Sequence, residues 1–283
     1  MSTQVHEPNF KLALVAAIAG VLCITVVPYI TADAMDTILR GIPPKVAATG
    51  NPLLASAPKI VIGFFPLWNG LSVAAGMSLF LVAWALNRGE SWAKPAAVGL
   101  LAIPSITGAY YSGPVMAFAK SKMFYFLIVA LIGLVPYFIF LLSGKGSRSE
   151  KVGRFFLFLM LGVAAAFSFS NGGSSLRMFW ARPEPIYILD QSNLAWLLGY
   201  PVNWIGVVVT VIAIPFLAAR KYFGFLMAAA GSLIMLTGNL MLFAFHLATQ
   251  EYLIGAVLAL ITLGLLFAPK IGQKAVEGAL QPA

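Results

Sequence analysis

His246 stands in the stretch TGNLMLFAFHLATQEY, residues 237–252, which is otherwise almost all hydrocarbon. An imidazole in such a place could hydrogen-bond a ligand, carry a proton or coordinate a metal. Asn239 lies seven residues before it and Gln250 four after it, so on a continuous helix the three fall near one face as a polar seam. Such a seam has to face protein or water, because an unpaired amide or imidazole in hydrocarbon is costly. Glu251 follows closely, which places His246 about one turn from the end of the apolar run. An interfacial histidine needs no ligand, so a plain boundary residue, a quinone contact and a haem or metal ligand all remain open. The other histidine, His6, lies in the polar N-terminal tail, which excludes bis-histidine haem ligation within this chain.

A second group of residues is Pro66-Leu67-Trp68-Asn69-Gly70, with a looser counterpart at Pro201-Val202-Asn203-Trp204. A proline inside a helix frees a carbonyl one turn back, and a neighbouring asparagine can bond that carbonyl or a ligand. Broken helices of this kind line sites in some transporters and elsewhere serve only as kinks. The candidate ligand- or quinone-contact set is therefore His246, Asn239, Gln250, Trp68, Asn69 and Asn203.

No Cys, His, Asp and Glu residues cluster at metal-ligand spacing, and no G-x-x-x-x-G-K-[ST] loop occurs. No metal ligand and no catalytic residue is assigned, and intrinsic enzymatic chemistry is not expected. The apolar runs also lack carboxylates and basic residues, which argues against a proton-coupled antiporter but leaves neutral-solute or sodium-coupled transport open.

The elements that position these residues follow from composition. The chain has 283 residues, 60% hydrophobic and only 10% charged, with a mean hydropathy of +0.92. That leaves too little polar surface to coat a water-soluble globule. Eight apolar runs are each long enough to cross a hydrocarbon core as a helix: Leu12–Ala32, Ile60–Leu86, Pro95–Tyr111, Met123–Leu142, Phe155–Ser170, Leu194–Ala219, Tyr222–Ala248 and Tyr252–Ala268. The expected fold is an all-α, polytopic integral membrane protein of about eight transmembrane helices. A β-barrel is excluded, since the runs do not alternate apolar and polar residues. The third and fifth runs are short.

The net charge of +9 fits lysines and arginines that fence the helices, not a nucleic-acid surface. Lys11, Arg88, Lys94, Lys145, Arg148, Lys151, Arg154, Arg220, Lys221, Lys270 and Lys274 fall on one side, and Arg40, Lys45, Lys59, Lys120, Lys122, Arg177 and Arg182 on the other. The richer side carries them in short loops, so it is expected to be cytoplasmic, with both termini inside a bacterial inner membrane. Cys23 lies within the first run and has no second cysteine to pair with. The Ala32-x-Ala34 pattern resembles a signal-peptidase site. The apolar run before it is long and its leader holds one lysine beside Glu7, so the run is expected to stay as a span.

A span, a long outer loop and three closely spaced spans occur twice, which divides the chain into 1–144 and 145–283 as possible parallel four-helix halves. The outer loops are expected at 33–58 and 171–193. In the first, a short interfacial helix would be stopped by Gly41 and Pro43–Pro44. In the second, Met178, Phe179, Trp180, Ile186 and Tyr187 bracket an Arg-Pro-Glu-Pro turn. Arg177, Trp180, Arg182, Glu184 and Asp190 are candidate docking residues for a partner. Small residues in GLSVAAGMSLF and LMAAAGSLIMLTGNL are spaced for close helix packing.

Eight spans in two sets of four are similar, in topology alone, to the membrane subunits of polysulfide-reductase type. The reading that results is a non-catalytic membrane subunit, structural or quinone-proximal, of a larger bacterial inner-membrane complex. Its partners would be the lipid bilayer and other membrane or periplasmic subunits, with quinone or lipid at its surface, no cofactor held by this chain alone and no nucleic acid. The alternative is a small-solute transporter or channel whose path runs between the halves past Asn69, Asn203 and Asn239.

Overall fold

The computed structural model describes residues 8–144, 146–182, 191–246 and 249–273. Among them the chain forms eight long helices and no strand: α1 Phe10–Thr49, α2 Ala57–Asn87, α3 Ala93–Phe118, α4 Tyr125–Leu142, α5 Arg148–Trp180, α6 Gln191–Ala218, α7 Tyr222–Phe245 and α8 Gln250–Phe267. Seven are long and apolar enough to span a membrane. The exception, α3, is long enough but carries Pro104, Pro114 and several hydroxyl residues. It can afford them because it sits inside the bundle, packed on α2 and α4 and touching α1, α5 and α6, with half of its residues buried.

The outward faces are apolar. Leu14, Ile18 and Val21 on α1, Ile205, Val208 and Ile212 on α6, and Ile254, Val257 and Leu260 on α8 are all exposed. These positions recur at helical spacing and would form an insoluble surface in water, so lipid must cover them. The chain is thus a multi-pass membrane protein in a bilayer.

With no hydrophobic drive between helices in lipid, close backbone approach holds the bundle together. Gly20 on α1 faces Gly76 on α2, where a Cβ on Gly76 would lie 2.8 Å from Cys23 Cβ. Gly206 on α6 faces Gly231 on α7 in the same way. The small-residue stretches around Gly76 and Gly231 therefore sit at helix crossings. In sequence order α1 to α4 pack on one another and α4 returns to α1, while α5 to α8 do likewise and α8 returns to α5.

The described parts of both segments expected as long loops are largely helix. α1 runs on through Gly41, Pro43 and Pro44 to Thr49 and ends at Gly50, whose φ of 61° suits a glycine at a helix C-terminus. Tertiary packing overrides the prolines: Ala34, Ile38 and Ile42 are buried against the core that holds Phe65, Tyr110 and Val115. Gly41 is not a stop signal but a contact point, because its missing side chain admits the backbone of Phe118. At 40 residues, α1 is about 60 Å long, roughly twice the hydrocarbon core. Its C-terminal part therefore projects beyond the membrane, anchored by the Lys122–Asp33 ion pair at 2.6 Å and by Lys45 Nζ donating to Ala117 O. Likewise α5 continues from Ser170 to Trp180. Ile186 and Tyr187 lie outside the described residues.

Candidate functional site

Four polar side chains from α5, α6 and α7 meet in one network that also takes in a backbone carbonyl of α8. Ser168 and Asn171 on α5 lie three residues apart and so share a face, which they turn toward α7 and α8. Asn239 on α7 is fully buried and stands at the centre. Asn171 Nδ2 donates to Asn239 Oδ1 at 2.6 Å and to the Glu251 carbonyl at 3.1 Å. The two hydrogens of the Asn239 amide are shared among three acceptors within range of its Nδ2: Ser168 Oγ at 3.0 Å, Asn203 Oδ1 at 2.9 Å and the Met235 carbonyl at 2.7 Å. Asn203 Nδ2 closes the set on the Gly199 carbonyl at 2.8 Å. A Cβ on Gly255 of α8 would lie 2.5 Å from Asn239 Oδ1, so that glycine makes the room in which the amides meet.

This arrangement joins α5, α6, α7 and α8 with polar groups satisfied by one another. In hydrocarbon it fixes which faces of the helices meet, because any other register would strand an amide. Asn239 has no N–H left for a ligand.

The imidazole of His246 does something different. α7 ends at Phe245 and His246 is its C-cap, so the helix does not continue to Gln250, which opens α8 and is exposed. The expected seam of three is therefore broken by the α7–α8 turn, and Gln250 leaves the set. His246 lies flat on the indole of Trp196 from α6, with ring centroids 3.5 Å apart and planes 12° apart. Trp196 is buried, and Tyr252 meets its ring edge-on. Leu242 completes this small core, with Met178, Phe179 and Phe243 packed against it. Among the described residues neither His246 Nε2 nor Trp196 Nε1 has a hydrogen-bonding partner, although both are shielded from solvent. Burial, and after it the positive charge of Arg182, hold the imidazole below its ordinary pKa range, which keeps it neutral near pH 7.

The Pro66 segment lies elsewhere, and α2 runs through it without a break. Trp68 is buried edge-on against Phe169 of α5, and Trp204 from the Pro201 segment stacks on the same ring. Trp204 Nε1 donates to the Phe169 carbonyl at 3.1 Å. The two tryptophans that look alike in sequence thus converge on one phenylalanine. Gly172 is the seat for Trp204, since a Cβ there would meet the indole. Trp68 Nε1 and Asn69 Oδ1 are shielded and unpartnered.

Of the expected docking residues, Arg177 and Trp180 lie in the last turn of α5 and Arg182 just past it. Trp180 is exposed, Arg177 and Arg182 half-buried. The Arg177 carbonyl accepts from Ser56 Oγ at 3.2 Å, which ties the start of α2 to the end of α5. Glu184 and Asp190 lie outside the described residues. Among the described residues no three His, Cys, Asp or Glu side chains gather where a metal could be held.

Asn171, Ser168, Trp196 and Gly255 belong to these sites without having been singled out in the sequence. The signal for the first two was present: Ser168, Asn171 and Ser175 fall at helical spacing, but the Gly172–Gly173 pair reads as a break. Nothing local marks Trp196, whose partners come from α7 and α8. Comparison with family models, with curated proteins and with solved structures gives no match.

Proposed function

We propose that the protein is a non-catalytic, multi-pass subunit of a larger membrane complex, and that its His246–Trp196 end contacts a quinone headgroup. The observation that carries this is the contrast between the two polar groupings of the C-terminal helices. The amides of Asn171, Asn203 and Asn239 are bonded in one network, whereas the stacked imidazole and indole keep two ring nitrogens without a partner among the described residues. A shielded nitrogen without a partner costs about 1–3 kcal/mol, and a quinone carbonyl would relieve that cost. The apolar ring surfaces of Tyr252, Phe179 and Phe243 supply the wall that a quinone ring needs. A bacterial inner membrane with both termini cytoplasmic suits the distribution of basic residues, and a respiratory complex is the setting in which a quinone contact has a use.

The test is quenching of tryptophan fluorescence by a soluble quinone analogue in protein reconstituted into nanodiscs. Saturable quenching that His246→Ala and Trp196→Phe each remove is expected. Quenching that rises linearly with analogue, or that both variants retain, rules the contact out.

A second reading, a small-solute transporter, rests on the unpartnered Trp68 Nε1 and Asn69 Oδ1 in the middle of α2. Two of the three asparagines expected along its path are tied up in the amide network. Uptake of labelled solutes into vesicles that contain this protein alone separates the two readings.

A further inference from the structure

At the opposite end from His246, where α3 and α5 begin and α4 and α6 end, lies a cavity of about 220 Å³. Its wall carries three cations: Lys94 from the first turn of α3, Arg154 from α5 and Arg220 just beyond α6. One carboxylate answers them, Glu150, and it is paired with Arg220. Among the described residues Arg154 donates to the Ala218 carbonyl alone, at 3.5 Å, and shares the field of Glu150 with Arg220. Lys94 has no hydrogen-bonding or ion-pair partner among the described residues, although it is half-buried and close to Arg154, Lys151 and Arg220.

This placement is unfavourable for Lys94 on every count. The first turn of a helix is its positive end and repels an ammonium. Desolvation penalises the charge, and like charges stand around it. Arg220 adds a fourth anomaly: its φ is 58°, the left-handed conformation that glycine usually takes after a helix. An arginine held there keeps its guanidinium on Glu150 at the rim of the cavity. An anion in the cavity would offset the charge costs at Lys94 together, drawing on the Lys94 ammonium and the Arg154 guanidinium.

We propose that this cavity binds a phosphate-type anion, either the headgroup of an acidic phospholipid or a soluble phosphate. The level fits a headgroup, since α4, α5 and α6, all apolar enough to span a membrane, begin or end there. A neighbouring groove lined by Leu142, Val152, Phe155 and Phe156, with Arg148 and Lys151 along it, could take an acyl chain beside it. The site is independent of the quinone contact and would stand if that contact failed.

The experiment uses the full chain, purified in neutral detergent and stripped of lipid, and reads both the thermal unfolding midpoint and the bound mass by native mass spectrometry. Phosphatidylglycerol, inorganic phosphate and phosphatidylcholine are added separately at constant ionic strength. The expected result is a raised midpoint and a retained adduct with phosphatidylglycerol or with phosphate. A response to the lipid alone assigns the headgroup, and an equal response to phosphate assigns a soluble anion. Lys94→Gln should weaken binding at least tenfold without lowering the midpoint of the stripped protein, because Lys94 has no partner to lose. Arg154→Lys, which keeps the charge, should weaken it less, and Lys120→Gln at the other end should leave it unchanged. An equal response to phosphatidylcholine, or full binding by Lys94→Gln, would overturn the proposal.

Discussion

Asn239→Ala is the most informative single change in the amide network. The side chain is fully buried and is hydrogen-bonded to three others, those of Asn171, Ser168 and Asn203. Measured bonds between membrane helices average about 0.6 kcal/mol each, which gives a floor of about 2 kcal/mol for the three. The substitution also leaves Asn203 Oδ1 without the partner it had, at about 1–3 kcal/mol for a buried orphan. Part of that cost is already counted in the bond lost, so the expected destabilisation is about 2–4 kcal/mol. The assay is reversible unfolding in mixed micelles as denaturing detergent is titrated, followed by tryptophan fluorescence. Thr237→Val, on the exposed side of the same helix, is the control and should shift stability by less than about 0.5 kcal/mol. A coupling test sharpens the point: Asn203→Ala combined with Asn239→Ala should cost clearly less than the sum of the two, since they share one bond. If Asn239→Ala were as mild as the control, or if the pair were additive, the amides would not form the junction of α5 to α8.

Gly255→Ala should act on the same junction by steric means, because its Cβ would press on Asn239 Oδ1 and Asn171 Nδ2. A loss of about 1–3 kcal/mol in the same titration is expected, and Gly264→Ala, which has open space, is the matched control. Gly41→Leu should release the projecting part of α1 from Phe118 without unfolding the bundle, seen as faster protease cleavage between Asp33 and Gly50 with an unchanged unfolding midpoint. His246 supplies a pH dependence. Its folded pKa lies below the unfolded value of about 6.5, so its contribution is present above that value and is lost as pH falls through the folded one. Between about pH 7.5 and pH 5 the midpoint of the natural protein should therefore fall more than that of His246→Phe; parallel curves would mean that the imidazole is not buried against Trp196.

The membrane class and the approximate number and order of the helices were legible because hydrocarbon runs leave few alternatives. The ends of those helices were not. Gly41, Pro43 and Pro44 carry every local sign of a helix stop, yet Ile38 and Ile42 gain enough from packing on α3 to draw the helix through them. Gly172–Gly173 falls in the stretch expected as a loop, yet it lies within α5, and Gly172 is the flat surface on which Trp204 lies. That single misjudged boundary hid Asn171, because a polar residue in a loop has no face. Asn239 and Asn203 were readable as polar groups needing partners, but which partners they take depends on four helices meeting, and spacing along one helix does not say so. Gln250 was lost for the converse reason: the turn after His246 changes the helix to which the count applies.

A subunit of a larger complex, as proposed for this chain, should leave the membrane together with its partners. Gentle extraction from the native membrane, followed by identification of the chains that travel with it and an optical spectrum of the intact particle, tests it most directly. The account predicts a particle that contains further subunits with haem or iron–sulfur absorption and retained quinone. A colourless particle made of this chain alone would contradict it.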